Sequence, residues 1–218
     1  MDQVGIVQRV KIHRLSVRIF HWLNALAILM MITSGWQIYN ATEFWAEGYR
    51  FPEWARLGDW LGGGIRWHLA AMWLLMANLL VYILIGIFSG HFKRRFFPIT
   101  PSSVIGDLTK AVQFKLPHDH VNYNSVQKAS YIGVLLVILL TIVSGFEIWK
   151  PVQLQAIGWF MGGYEGARRI HFIGMTLISG FIVMHLALVL IVPSTLFPMV
   201  IGTRRKDHSP QEGKVHVA

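Results

Sequence analysis

The chain has 218 residues, 54% of them hydrophobic and only 14% charged, with a mean hydropathy of +0.46. That is too apolar for an ordinary soluble domain, so the formal charge of +9 reads as a membrane-topology signal with contact to anionic lipid, not as a nucleic-acid-binding surface. The absence of cysteine excludes disulfides, thiolate-held iron–sulfur clusters and thioether-attached haem, and leaves histidine to carry any redox centre.

The first apolar run is 17–39 (VRIFHWLNALAILMMITSGWQIY), near the length of about 20 residues that a bilayer core requires. It is too long and too far from the start for a cleavable signal peptide, and no small-residue cleavage site closes it, so it is expected to stay in the membrane. A loop over 40–65 follows, rich in aromatics (Phe44, Trp45, Tyr49, Phe51, Trp54, Trp60). The second run is 66–88 (RWHLAAMWLLMANLLVYILIGIF), followed by a polar loop over 89–128. The third is 129–149 (ASYIGVLLVILLTIVSGFEIW), and the fourth, 169–192 (RIHFIGMTLISGFIVMHLALVLIV), leads into a tail over 193–218. The expectation is an all-α, integral-membrane four-helix bundle forming a single domain over 1–218.

Lysine and arginine in short loops are retained on the cytoplasmic side. The N-terminal segment holds Arg9, Lys11, Arg14 and Arg18; the loop over 89–128 holds Lys93, Arg94, Arg95, Lys110, Lys115 and Lys128; the tail adds Arg204, Arg205, Lys206 and Lys214. The loops at 40–65 and 150–168 carry fewer, and the first balances Arg50 and Arg56 against Glu43, Glu47, Glu53 and Asp59. Both termini are therefore predicted to be cytoplasmic.

Of the ten histidines, His13, His91, His118, His120, His208 and His216 fall in loops and tails, and His21, His68, His171 and His185 fall in the spans. The 14 residues from His171 to His185 correspond to about 21 Å along a helix and put the two side chains within about 40° of one face. With alternating span directions, His21 and His185 lie at the inner level, and His68 and His171 at the outer level. Two such pairs are what two stacked bis-histidine haems require, since haem leaves iron two axial positions that neutral imidazoles fill. Zinc wants three or four converging ligands, and a proton relay wants carboxylates at intermediate depth, where the spans offer only Glu147, close to the outer end of the third. Taken singly, each histidine also suits a satisfied hydrogen-bonding role.

An internal repeat supports the architecture. MITSGWQIYN (31–40) and TIVSGFEIWK (141–150) share the Ile, Ser-Gly, aromatic and Ile positions, and IRWH (65–68) echoes RRIH (168–171) more weakly. In that register His21 matches Tyr131 and His185 matches Tyr82, so neither inner histidine has a counterpart. Small residues at Ser34, Gly35, Ser144, Gly145, Gly174, Ser179 and Gly180 suit close approach of helices or porphyrin.

The R-x-x-H-W of the first span (Arg18, His21, Trp22), His68, the spacing of His171 and His185, YNSVQK (Tyr123 to Lys128) and SGFEIWKP (Ser144 to Pro151) together resemble the cytochrome b subunits of membrane-bound formate dehydrogenases. The thiosulfate-reductase and nickel-hydrogenase b-type cytochromes are related to these, and the resemblance covers nearly all of the four-helix region. It implies two haems b, with His68 and His171 on the outer one and His21 and His185 on the inner one. It further implies iron–sulfur or molybdopterin catalytic subunits docked at the outer face, and quinone as the inner electron partner, in the cytoplasmic (inner) membrane of a bacterium. The family's quinone contacts map to Asn124, with Ser125, Val126 and Gln127 beside it; Val126 stands where that pattern tends to have glycine.

Asn124 and Ser125 are equally suited to cap the third helix. Arg18, Arg66, Arg168 and Arg169 would pair with haem propionates, or anchor the spans by snorkelling to headgroups. The aromatics of 40–65 suit either a docking surface or an interfacial belt. Glu147 either pairs with Lys150 or tunes the outer haem. No site for formate, hydrogen or a sulfur oxyanion is evident, so substrate catalysis belongs to a partner. A hydrogenase-type or thiosulfate-reductase-type anchor, and a haem-free structural anchor or transporter, are the alternative functions.

Overall fold

In the computed structural model, the described residues are 9–42, 48–90, 92, 98–113 and 124–205. Four long helices dominate: α1 (Leu15–Thr42), α2 (Leu61–Phe88), α4 (Ser125–Trp149) and α6 (Gly163–Ile191). Each has the length and hydropathy to cross a membrane; at about 1.5 Å per residue, 25 to 29 residues exceed the roughly 30 Å hydrocarbon core. Exposed leucine, isoleucine and tryptophan cover their outer surfaces, as lipid-facing helices require.

The helices start earlier than the apolar runs. α2 takes in Gly62 to Gly64, which propensity alone would leave in the loop. Gly64 is buried, and a Cβ there would stand 2.9 Å from Gln37 Cγ, so this glycine lets α2 close on α1. α4 starts at Ser125 because Asn124 caps it.

Shorter elements complete the loops. α3 (Pro101–Val112) is amphipathic and begins with Pro101 after Thr100, whose Oγ1 accepts from Ser103 N at 3.2 Å. α5 (Gln155–Met161) bridges α4 and α6, and α7 (Leu196–Ile201) follows α6. Strand β1 (Arg9–Lys11) pairs antiparallel with β2 (Thr203–Arg205), so the two ends of the described chain meet at one end of the bundle.

The helices pack as two hairpins, α1 on α2 and α4 on α6. Glycine sets the second crossing as well: a Cβ on Gly174 would run into Thr141 Oγ1. Between the hairpins the contact is made by large rings, among them Tyr39 stacked on Phe172 (5.3 Å) and Trp73 edge-on to Trp149 (6.4 Å). The loop after α1 folds back through Asn40, which exchanges two 2.9 Å hydrogen bonds with the backbone of Phe51.

Candidate functional site

Four histidine rings bridge the hairpins at two levels. His68 of α2 and His171 of α6 have ring centroids 6.1 Å apart with planes at 61°. His21 of α1 and His185 of α6 have centroids 6.3 Å apart with planes at 52°. A metal-bound imidazole has its centre about 3 Å from the metal, so two axial imidazoles on one iron stand about 6 Å apart, centre to centre. Both pairs meet that spacing. Among the described residues no three His, Cys, Asp or Glu side chains gather as a metal cluster, so the donor sets are pairs of imidazoles, which suit haem iron and not tetrahedral zinc.

The two levels are held differently. At the first, Ser34 Oγ lies 3.0 Å from His68 Nδ1, and Ser144 Oγ lies 3.3 Å from His171 Nδ1. The Thr141 carbonyl oxygen is 2.9 Å from His171 Nδ1. The glycine after the second serine makes room for the ring, since a Cβ on Gly145 would stand 2.9 Å from His171 Cε1, whereas one on Gly35 would make ordinary contact, 3.5 Å from His68 Cε1. At the second level, His21 Nδ1 is buried without a hydrogen-bond partner among the described residues, as is Asn24 Oδ1 one turn along. Trp22 stands edge-on to His21 (5.1 Å), and Phe181 stacks on His185 (6.0 Å). Asn78, buried in α2, donates to the carbonyl of Phe20 at 3.0 Å.

Arg18, Arg66 and Arg168 have protein partners. Arg18 Nε donates to Met199 O at 3.3 Å and Nη2 donates to Val200 O, while Trp22 Nε1 donates to Met199 O at 3.3 Å. These bonds tie α1 to the carbonyl end of α7. His13, beside them, is held below the ordinary histidine range by burial and then by the Arg18 guanidinium. Arg66 lies over the Trp60 ring at 5.8 Å. Arg168 pairs with Glu165 at 3.0 Å and lies over Tyr164, and Arg169 is exposed on α6.

Asn124 to Gln127 form the N-terminus of α4, with Val126 half-buried. Gln127 N donates to Asn124 Oδ1 (2.8 Å) and Asn124 N to Gln127 Oε1 (3.2 Å), a reciprocal capping box. Ser125 N donates to Asp107 Oδ2 of α3 at 2.8 Å, and this bond holds the Asp107 carboxyl below its usual range. The capping role is thus taken up in the structure. Tyr123 of the same motif, Phe44 and Trp45 of the outer loop, and His91, His118, His120, His208 and His216 lie outside the described residues.

Glu147 is 3% exposed, with Oε2 lacking a hydrogen-bond partner. It packs on Gly158 of α5, where a Cβ would run into Oε1. Lys150 turns instead over the Trp149 ring, 4.9 Å from its centre. In the first hairpin the matching Gln37 accepts from Arg56 Nη1 at 2.9 Å. Asn24, Asn78 and Asp107 are the residues that reading the sequence passes over. Asn24 and Asn78 did carry a signal, since an amide in a lipid-crossing helix needs a partner.

Residues 12–202 match the family model described as prokaryotic cytochrome b561. The chain is 42% identical over 192 residues to the putative protein-methionine-sulfoxide reductase subunit YedZ1 of Azospira oryzae, an alignment covering 88% of this chain and 96% of that one. It is 24% identical over 197 residues to the probable Ni/Fe-hydrogenase B-type cytochrome subunit of Bradyrhizobium diazoefficiens, covering 81% and 76% respectively.

Proposed function

The chain belongs to the prokaryotic cytochrome b561 family, a multi-pass membrane haem-b protein, and from that premise we propose that it is the electron-transfer subunit of a membrane oxidoreductase, with two haems b in series. The observation that carries this reading is the pair of ring spacings, 6.1 and 6.3 Å, at two levels between the hairpins. His68 and His171 would hold the outer haem iron, and His21 and His185 the inner one. Bound haem supplies a one-electron ferric/ferrous couple in an apolar setting. The chain's own part would be to hold the two pairs of imidazoles, His68 with His171 and His21 with His185, to exclude water with the packed hairpins, and to anchor the assembly in lipid. Residues 1–218 act as one domain in the cytoplasmic membrane, with both termini inside.

The catalytic partner docks at the outer face. A reductase of protein methionine sulfoxide is favoured, because the resemblance to the subunit so named covers 96% of that relative. A formate-dehydrogenase-like partner is the second reading, supported by the residues NSVQK (124–128) and SGFEIWKP (144–151). Quinone exchanges electrons at the inner end, near Asn124 to Gln127. A dithionite-reduced minus oxidised spectrum with a pyridine haemochrome count on the purified chain tests the reading. Two b haems per chain are expected; none in a well-folded, haem-supplied preparation would leave a structural anchor or transporter. Co-purification with a sulfoxide reductase, as against a molybdenum–iron–sulfur dehydrogenase, separates the two partners.

A further inference from the structure

We propose that Ser34 is a positioning residue that fixes His68 as the Nδ1–H tautomer, as the Thr141 carbonyl with Ser144 beside it fixes His171, so that Nε2 of each ring is the nitrogen presented to iron, and that these bonds set the outer haem at a lower potential than it would have without them. The proposal rests on the two-haem reading above.

The tautomer follows from counting protons. Ser34 Oγ lies 2.5 Å from Met30 O and 3.2 Å from Met31 O. Carbonyl oxygens only accept, so the single hydroxyl proton goes to them, and the oxygen that faces His68 Nδ1 at 3.0 Å must accept. Nδ1 therefore carries the ring proton. On the second hairpin, Ser144 Oγ donates to Thr141 O at 3.0 Å. That same carbonyl lies 2.9 Å from His171 Nδ1, so this Nδ1 must also be the donor. A neutral imidazole has one N–H, which leaves the Nε2 lone pair of each ring free for a metal.

The arrangement occurs twice. Each hairpin places the serine of its Ser-Gly step on one helix against the histidine of the other, with Gly35 or Gly145 admitting the ring edge. Both serines are fully buried, so their hydroxyls serve these contacts and not solvent. The inner level lacks the device: His21 Nδ1 is buried with no partner, and the repeat puts Tyr131 and Tyr82 at the matching positions. A ligand imidazole that donates its second N–H is a more basic ligand, and a more basic axial pair favours the ferric state.

The experiment is a redox titration of the b-haem absorbance, with low-temperature EPR, on the purified chain and on Ser34→Ala, Ser144→Ala, the double variant, Ser34→Thr, and Thr33→Ala as control. Thr33 sits beside Ser34, but its hydroxyl bonds only to its own helix, at Leu29 O (2.9 Å) and Met30 O (3.4 Å). The outer potential is identified as the one that His68→Ala removes. Ser34→Ala should retain haem, raise that potential alone and alter the g values of that centre; Ser144→Ala should shift it less, because the Thr141 carbonyl still accepts from His171 Nδ1. The double variant should shift at least as far as Ser34→Ala, which removes the serine acceptor of His68; Ser34→Thr and Thr33→Ala should leave both potentials in place. Should the double variant lose the outer haem, the single variants carry the test. Unmoved potentials in haem-replete alanine variants, or an equal shift at both centres, would overturn the proposal, whereas a parent chain without haem would overturn the reading it rests on.

Discussion

Asn78 of α2 donates its side-chain N–H to the carbonyl of Phe20, at 3.0 Å, and so grips the backbone of α1 immediately before His21. At 6% exposure the amide has little water to turn to. Asn78→Ala should lower the unfolding free energy by about 0.5–1.5 kcal/mol, the net worth of a typical hydrogen bond. It should also loosen the inner haem, with the outer one retained. Thermal unfolding and a haem count in detergent check both parts; equal loss of the two haems would show that Asn78 acts on the fold at large.

Gly35 and Gly145 admit the rings of His68 and His171 to different degrees. An added Cβ would stand 3.5 Å from the nearest atom of His68 but 2.9 Å from that of His171. Gly145→Ala must push the ring aside, and should cost the outer haem most of its occupancy. Gly35→Ala meets ordinary contact and should leave occupancy near that of the parent. Pyridine haemochrome assay of the two variants reads the order directly, and the reverse order would contradict the packing argument.

Glu147 occupies in the second hairpin the position of Gln37 in the first; Gln37 accepts from Arg56, whereas Glu147 Oε2 has no hydrogen-bond partner among the described residues. A buried carboxyl group with an unpartnered oxygen destabilises. Glu147→Met, which removes the buried polar atoms at similar size, should therefore raise stability by about 1–3 kcal/mol, and a scan of thermal unfolding should show a higher midpoint. A redox titration of the same variant tests tuning: a shift of the outer potential alone supports it, and two unmoved potentials retire it.

The pairing of β1 with β2 is tied to the acid side of neutrality through His13. Burial, and after it the Arg18 guanidinium, depress the His13 pKa in the folded chain. The neutral ring is thus the one the fold prefers. Its contribution is complete above the unfolded value of about 6.5 and is lost as pH falls from there through the folded value. Amide protection factors over residues 9–13 and 202–205, which correct for the intrinsic pH dependence of exchange, should fall as pH is lowered through that interval, and His13→Gln should keep them level. Exchange that is as pH-sensitive in His13→Gln as in the parent would assign the effect elsewhere.

The four spans were legible because an apolar run of bilayer length needs no partner to be recognised, and the absence of cysteine narrowed the redox chemistry to histidine. Depth alone pairs His68 with His171 and His21 with His185, the same rings that stand about 6 Å apart in the fold. What stayed hidden depends on contacts distant in sequence. The Ser-Gly steps are visible as a repeat, but that each serine meets a histidine follows only from how the hairpins pack. Arg18 reads as a propionate or headgroup partner until α7 brings the carbonyls of Met199 and Val200 to it. The β1–β2 pair joins segments some 190 residues apart, and α3, α5 and α7 are too short to announce themselves as apolar runs.

The central claim is that two haems sit at two levels, each on its own pair of histidines. The most direct test is a redox titration of His21→Ala and His68→Ala beside the parent chain. Two potentials in the parent, with a different one missing from each variant and the other kept, is the predicted result. Loss of the same potential from both variants, or of neither, would contradict the account.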